Sequence, residues 1–243
     1  MKKHLLPFFL LLLFSVTMNA QNDYETLWNE VEKFEVDDLP KSAAAIVDTI
    51  YAKAEKEKNS PQLIKSLIYK SKFLIVLEEN AQLKVIESFK NHISKSSYPT
   101  KNILQNILAN LYWQYFNENR YTIYNRTKSE KKVDEIDFRT WDLNTLFEEI
   151  HTHFNASLEN TDQLQKVAIH DFESILHIQK GSKTYRPTLY DFLANNALDF
   201  YKSSETSITR PAYKFFIDNP TFLSDFKSFS TLNLQSKDSL SLQ

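Results

Sequence analysis

The stretch Pro40-Lys41-Ser42-Ala43-Ala44-Ala45-Ile46-Val47-Asp48-Thr49-Ile50-Tyr51-Ala52-Lys53-Ala54 decides the fold class. Its apolar residues Ala43, Ile46, Val47, Ile50 and Ala54 recur at i, i+3, i+4 and i+7, the spacing of one face of an amphipathic helix. Pro40 suits the first turn, where a missing backbone N–H costs nothing. Upstream, Leu27, Val31 and Phe34 keep helical spacing after Tyr24, and Asp37-Asp38-Leu39-Pro40 breaks the chain. Downstream, Glu55 to Lys58 cover the last turn and Asn59-Ser60-Pro61 punctuates, with Ser60 read as N-cap and Pro61 as the first helical residue.

The same pattern repeats. A helix after Pro61 carries Ile64, Leu67, Ile68, Leu74 and Ile75 inward; one over Ala81 to Lys95 carries Leu83, Ile86, Phe89 and Ile93. Pro99 opens another, with Ile103, Ile107, Leu108, Leu111 and Tyr115 on one face. Helix starts near 40, 61, 81 and 100 are about twenty residues apart, which predicts antiparallel helical hairpins of about forty residues. The expected fold class is all-α, hairpins resembling tetratricopeptide or HEAT-type repeats without their consensus.

Residues 128–139 read as a polar, exposed connection between a first helical part, 21–127, and a second part of the same module, 140–227. Thr140-Trp141-Asp142 predicts a helix start leading into Leu143, Leu146, Phe147, Ile150 and Phe154. Thr161 to Lys180 is expected as one helix closed by Gly181 in a left-handed cap. Pro187 is expected to start the next, burying Leu189, Phe192, Leu193, Ala197 and Phe200, and Pro211 and Pro220 bracket a shorter aromatic piece. Residues 228–243 form a Ser/Thr/Leu/Gln-rich tail with no completed helix, as expected of a truncated pattern.

Met1-Lys2-Lys3-His4, the apolar run Leu5 to Val16 and the small residue Ala20 read as a secretory signal peptide over residues 1–20. That run is shorter than the roughly 20 residues a spanning helix needs. Cleavage removes two of the 29 basic residues and none of the 31 acidic ones, moving the formal charge from −2 to −4. An acidic balance gives no general footprint for nucleic acid. The sequence has no cysteine, which excludes disulfides, thiolate metal sites, a cysteine nucleophile and a lipid-anchor cysteine. Its one glycine is too few for phosphate-binding loops or a G-x-S-x-G elbow.

Candidate constellations are few. His170, Glu173 and His177 lie at i, i+3 and i+7 on the helix expected over Thr161 to Lys180, so all three can share a face, the arrangement a metal-dependent hydrolase would use. The blander reading is a polar flank with Glu173 pairing His177, because the spacing matches no HExxH motif. His151 and His153 read as surface histidines on different sides of a helix, and Glu148-Glu149 and Glu78-Glu79 as solvated exteriors. Leu111-Tyr112-Trp113-Gln114-Tyr115-Phe116, with Tyr121 and Tyr124, reads as packed core rather than a stacking surface for bases or sugars. Arg120, Arg126, Arg186 and Arg210 lie beside aromatics and are expected to make internal hydrogen bonds or cation–π contacts. An exposed apolar face is expected near Phe215-Phe216 and Phe222. The residues assign no catalytic, cofactor-binding or metal position, and no cofactor.

Several segments together carry a resemblance: Leu39-Pro40-Lys41-Ser42-Ala43, Ile46-Val47-Asp48-Thr49-Ile50-Tyr51, Ser60-Pro61-Gln62-Leu63-Ile64-Lys65, Leu111-Tyr112-Trp113-Gln114-Tyr115, Asn125-Arg126-Thr127, Thr140-Trp141-Asp142-Leu143 and Arg186-Pro187-Thr188-Leu189-Tyr190-Asp191-Phe192-Leu193-Ala194. In this order they resemble the N-terminal helical region of large bacterial alpha-2-macroglobulin-family proteins, over about residues 24 to 226. The resemblance implies a periplasmic or cell-envelope protein with a protease-trapping role and β-sandwich macroglobulin domains downstream as partners, with proteases or envelope proteins beyond them. The family's Cys–Gln thioester has no counterpart here, so none of its functional residues is carried over. A non-enzymatic N-terminal module is therefore expected; the alternative is a free-standing periplasmic repeat module that binds a peptide or protein.

The leader sets the first prediction. Protein sequencing of the exported chain should begin at Gln21, and a mature chain that retains Met1 would contradict the signal-peptide assignment.

Overall fold

The computed structural model describes residues 23–127, 132, 134–177, 179–203, 205 and 220–233. The signal-peptide segment 1–20, Arg210, Pro211, Phe215-Phe216 and the tail from 234 lie outside the described residues. The protein is all-helical, and no strand occurs among the described residues. Residues 23–36 form α1, followed by α2 (Pro40–Glu57), α3 (Ser60–Leu77), α4 (Ala81–Lys95) and α5 (Thr100–Tyr124). A 3-10 turn (Phe138–Thr140) precedes α6 (Leu143–Ser157) and α7 (Thr161–Leu164). A 3-10 segment (Ile169–Ile175), α8 (Ser182–Tyr185) and α9 (Leu189–Tyr201) follow.

The chain divides into two compact units, residues 1–197 and 198–243. In the second, a 3-10 turn (Pro220–Leu223) contacts α10 (Phe226–Ser230), whose N-cap Asp225 accepts from the Lys227 and Ser228 backbone N–H groups. That short helix reaches into residues 228–230 of the polar tail expected to complete no helix, because Asp225 supplies the cap the apolar pattern does not show.

In the first unit, the stripe that opened the reading is the core of the N-terminal part. Ala43, Val47, Ile50 and Ala54 are fully buried against Tyr24 and Val31 of α1 and Phe73 of α3. On α3 the buried set is Ile64, Ser66, Leu67 and Phe73, while Ile68 and Ile75 are exposed. More apolar residues lie on this helix than one face accommodates, so the spacing placed Ile64 and Leu67 inward correctly but Ile68 and Ile75 wrongly, and missed Phe73. Ser66 is buried at no apparent cost, because its hydroxyl donates to the Leu63 carbonyl at 2.8 Å. The N-cap of α3 is Asn59 rather than Ser60: the Asn59 Oδ1 accepts from the Gln62 N–H at 3.2 Å.

Short turns join these helices without glycine. At the end of α2, Lys58 N–H reaches the Glu55 carbonyl (3.3 Å) and Asn59 N–H the Ala54 carbonyl (2.9 Å), a Schellman pair that puts Lys58 at φ 54°. Asp38, after α1, repeats it with φ 54°, donating to Glu35 while Leu39 donates to Phe34. Asn80 and Asn160 are left-handed at the starts of α4 and α7. Asp and Asn tolerate that region better than most side chains, which explains how one glycine suffices.

Two further expectations are corrected. The connection at 128–139 is not simply exposed, since Phe138 is buried against Tyr112 and Tyr115 with ring centroids at 5.3 and 4.8 Å. Trp141 is buried beside it and its indole N–H donates to the Asp134 carbonyl at 2.5 Å. The single helix over Thr161 to Lys180 does not form. Ile169 N–H donates to the Pro187 carbonyl and Leu189 N–H to the Val167 carbonyl, both at 2.9 Å, so this backbone pairs across the chain instead of along a helix. Gly181 is left-handed as expected, at φ 84°, but stands at the N-cap of α8.

Lys58 occupies the position where a Schellman motif favours glycine, and relief of left-handed strain there outweighs the added freedom of the unfolded chain. Lys58→Gly should stabilise the protein by about 0.5 kcal/mol. Thermal unfolding checks this, and a lowered melting temperature would show the strain to be absent.

Candidate functional site

An open groove of about 980 Å³ lies between α1, the start of α3 and the 3-10 segment Ile169–Ile175. Its floor is aromatic and built from the sequence upward. Trp28 and Tyr69 meet with centroids 4.8 Å apart, and Tyr69 continues to the buried Phe73 at 6.3 Å. The Trp28 indole N–H donates to Gln62 Oε1 at 2.7 Å, which fixes the ring. Lys65, one turn along α3 from Pro61, lays its ammonium 4.1 Å from the centre of the Trp28 ring. Burial lowers the Lys65 amine from its ordinary range. Beneath the groove, the buried Tyr24 donates its hydroxyl to Glu57 at 2.7 Å; burial, then the Glu57 hydrogen bond and charge, push that hydroxyl upward.

His170 and Glu173 line the groove, but the metal constellation does not assemble. Phe172 breaks the helical geometry between them, with φ −117° and ψ 15°, and Leu176 is extended, so His177 leaves the shared face. His170 pairs with Asp171 at 2.9 Å and Glu173 with Lys183. Among the described residues no three acidic, histidine or cysteine side chains group as metal ligands do.

On α6, Glu148 is exposed as read, but Glu149 and His153 differ from their sequence reading. Glu149 is not on a solvated exterior: it bridges Lys90 (3.2 Å) and Lys132 (3.0 Å), with His153 Nε2 at 3.5 Å. His153 is not a surface histidine either. Its Nδ1 lies 2.5 Å from Gln105 Oε1 and its ring stacks on Tyr112 at 5.9 Å. Burial would raise the Glu149 carboxyl, but the contacts of His153 and Lys132 and the charges of Lys90 and Lys132 outweigh it and hold it at about 2. Both lysines also face Trp141, at 5.6 and 4.2 Å, so this cluster knits α4, α6 and the connection to the aromatic core. The periodicity could not reveal it, because its members come from four separate segments.

The aromatic stretch of α5 is core through Phe116, as read: Tyr112, Tyr115 and Phe116 are buried, and Trp113 stacks on Phe116 at 5.2 Å. Tyr121 and Tyr124, read as part of that core, are instead exposed because they lie on the side of the helix turned away from it. Arg120 sits 5.9 Å from the Phe116 ring, and Arg126 donates to the Trp141 carbonyl at 2.5 Å, as their aromatic neighbours implied. Sequence reasoning missed the groove, since Trp28, Lys65 and Asp171 carry no recognisable spacing.

No family model matches the chain, and neither a curated protein nor a solved structure does.

The Glu149 carboxyl binds its proton far less readily folded than unfolded, where it titrates near 4.5. Its contribution, roughly 3 kcal/mol, is complete above that pH and is lost as pH falls toward about 2. Wild-type melting temperature should therefore fall more steeply through this window than that of Glu149→Gln. Parallel acid limbs would show that the carboxyl is not held down.

Proposed function

We propose that this chain is a non-enzymatic helical docking module, the N-terminal part of an exported alpha-2-macroglobulin-like protein with a protease-trapping role. One observation carries the docking role: the open groove of about 980 Å³ with its aromatic floor at Trp28 and Tyr69. Grooves of this kind take extended protein segments, with rings supplying contact area and polar rims fixing register. The pairing of α2 with α3 and of α4 with α5 suits a repeat-like scaffold, in which each helical pair stacks on its neighbour. The family context rests on the ordered set of segments from Leu39 to Ala194 and supplies the expected location in the periplasm or cell envelope.

A site-specific photo-cross-linker tests the docking role in the producing cell. Placed at Asn29, exposed on α1 within the groove, it should yield a covalent adduct with a protein partner. The same group at Glu87, exposed on α4 outside the groove, should not. Identical adducts from both positions, or none from Asn29, would sink the docking role.

A further inference from the structure

Acidic residues predominate in the groove, five against Lys65 and His170. Glu25, Glu32 and Glu35 project along α1 at helical spacing on one wall, and Asp171 and Glu173 stand on the 3-10 segment opposite. Three of these acids are already engaged: Glu35 with Lys72 at 2.5 Å, Glu173 with Lys183 and Asp171 with His170. Glu25 and Glu32 are exposed and make no ion pair among the described residues. Glu25, Trp28 and Glu32 follow one another at three and four residues, so the two carboxylates flank the indole ring on the same helix face.

The floor shows independently what chemistry the ring accepts. The Lys65 ammonium lies over Trp28 at 4.1 Å and makes no ion pair among the described residues. It stands where a ligand's cation would stand, and the aromatic face rather than a carboxylate holds it. A positively charged side chain entering from solvent would find the same ring face with two carboxylates beside it.

We propose that the groove binds an extended protein segment bearing lysine or arginine side chains, seated between Glu25 and Glu32 against Trp28. This rests on the docking role proposed above and adds the chemistry of the partner. An acidic segment is disfavoured by like charge on both walls, and a purely apolar one would leave the carboxylates of α1 without gain. Lys65 then acts as an internal competitor for the indole face.

Fluorescence anisotropy with a labelled peptide of alternating alanine and lysine, and with its glutamate counterpart, tests the assignment on the exported chain. The lysine peptide should bind, more weakly as salt rises, and the glutamate peptide should bind at least about tenfold more weakly. The double variant Glu25→Gln/Glu32→Gln should weaken the lysine peptide by about threefold to tenfold, since each exposed pair contributes modestly. Lys65→Ala should tighten it, by about threefold, because the ring face is freed. Equal binding of the two peptides, an unchanged affinity in the double variant, or weaker binding in Lys65→Ala would each overturn the proposal. An adduct at Asn29 combined with any of those results leaves the docking role standing and removes only the basic partner.

Discussion

Burial of the polar side of α5 is the constraint on which the first unit depends. This helix packs against α4 on one side and most extensively against α6 on another, so its residues Asn102, Gln105 and Asn106 are taken out of water together with Ile103, Leu104 and Leu108. A buried amide left without partners costs about 1–3 kcal/mol, so each must find one inside. Asn102 donates to the carbonyls of Ser157 (3.1 Å) and Glu159 (2.9 Å), which fixes the end of α6. Asn106 donates to the Ser157 hydroxyl and to the Leu193 carbonyl, and its Oδ1 accepts from Asn110 and from Asn196. Gln105 completes the series through His153. One helix thus sets the positions of α6 and of the first turns of α9 by hydrogen bonds that work only in one register.

That network explains what could be read in advance and what could not. Helix starts at Pro40, Ser60, Ala81 and Thr100 were legible because proline, asparagine and apolar period act locally and agree with one another. The inward stripe of α2 was legible for the same reason: Ala43, Val47, Ile50 and Ala54 leave one face as the only apolar choice. On α3 the pattern is apolar on more than one side, and only packing against α2 decides that Phe73 goes in and Ile75 stays out. A period-based reading treats Asn, Gln, His and Glu as solvent-facing, so it placed Glu149 and His153 outside. Their burial depends on lysines 59 and 17 residues away from Glu149 in sequence, which no local pattern contains.

The segment after α6 fails for a related reason. Thr161 to Lys180 has the composition of a helix, yet Val167 and Ile169 find backbone partners at Leu189 and Pro187. Those two bonds satisfy groups that a helix would otherwise use and leave a short 3-10 segment in place of a long helix. The substitution has a consequence for the candidate site. A continuous helix would carry His170, Glu173 and His177 on one face; the broken segment instead places His170, Asp171 and Glu173 along the wall of the groove. The same departure from local propensity that dissolves the metal constellation builds the second acidic wall.

The near-neutral formal charge of −2 conceals how unevenly charge is used. Lys90 and Lys132 are turned against Trp141 and spent on Glu149, and Lys72 is held between Glu35 and the Tyr69 ring. These cations tie helices to one another through paired carboxylates and aromatic rings while staying partly in solvent. Of the carboxylates of α1, Asp23 and Glu35 pair with Lys53 and Lys72, but Glu25 and Glu32 have no such task, because the buried face of that helix is already filled by Tyr24 and Val31. Glu25 and Glu32 therefore remain outward, on either side of a ring that the Gln62 hydrogen bond holds in place. Pairing those cations with carboxylates elsewhere while leaving Glu25 and Glu32 unpaired among the described residues is what makes a weakly charged protein locally acidic at the groove.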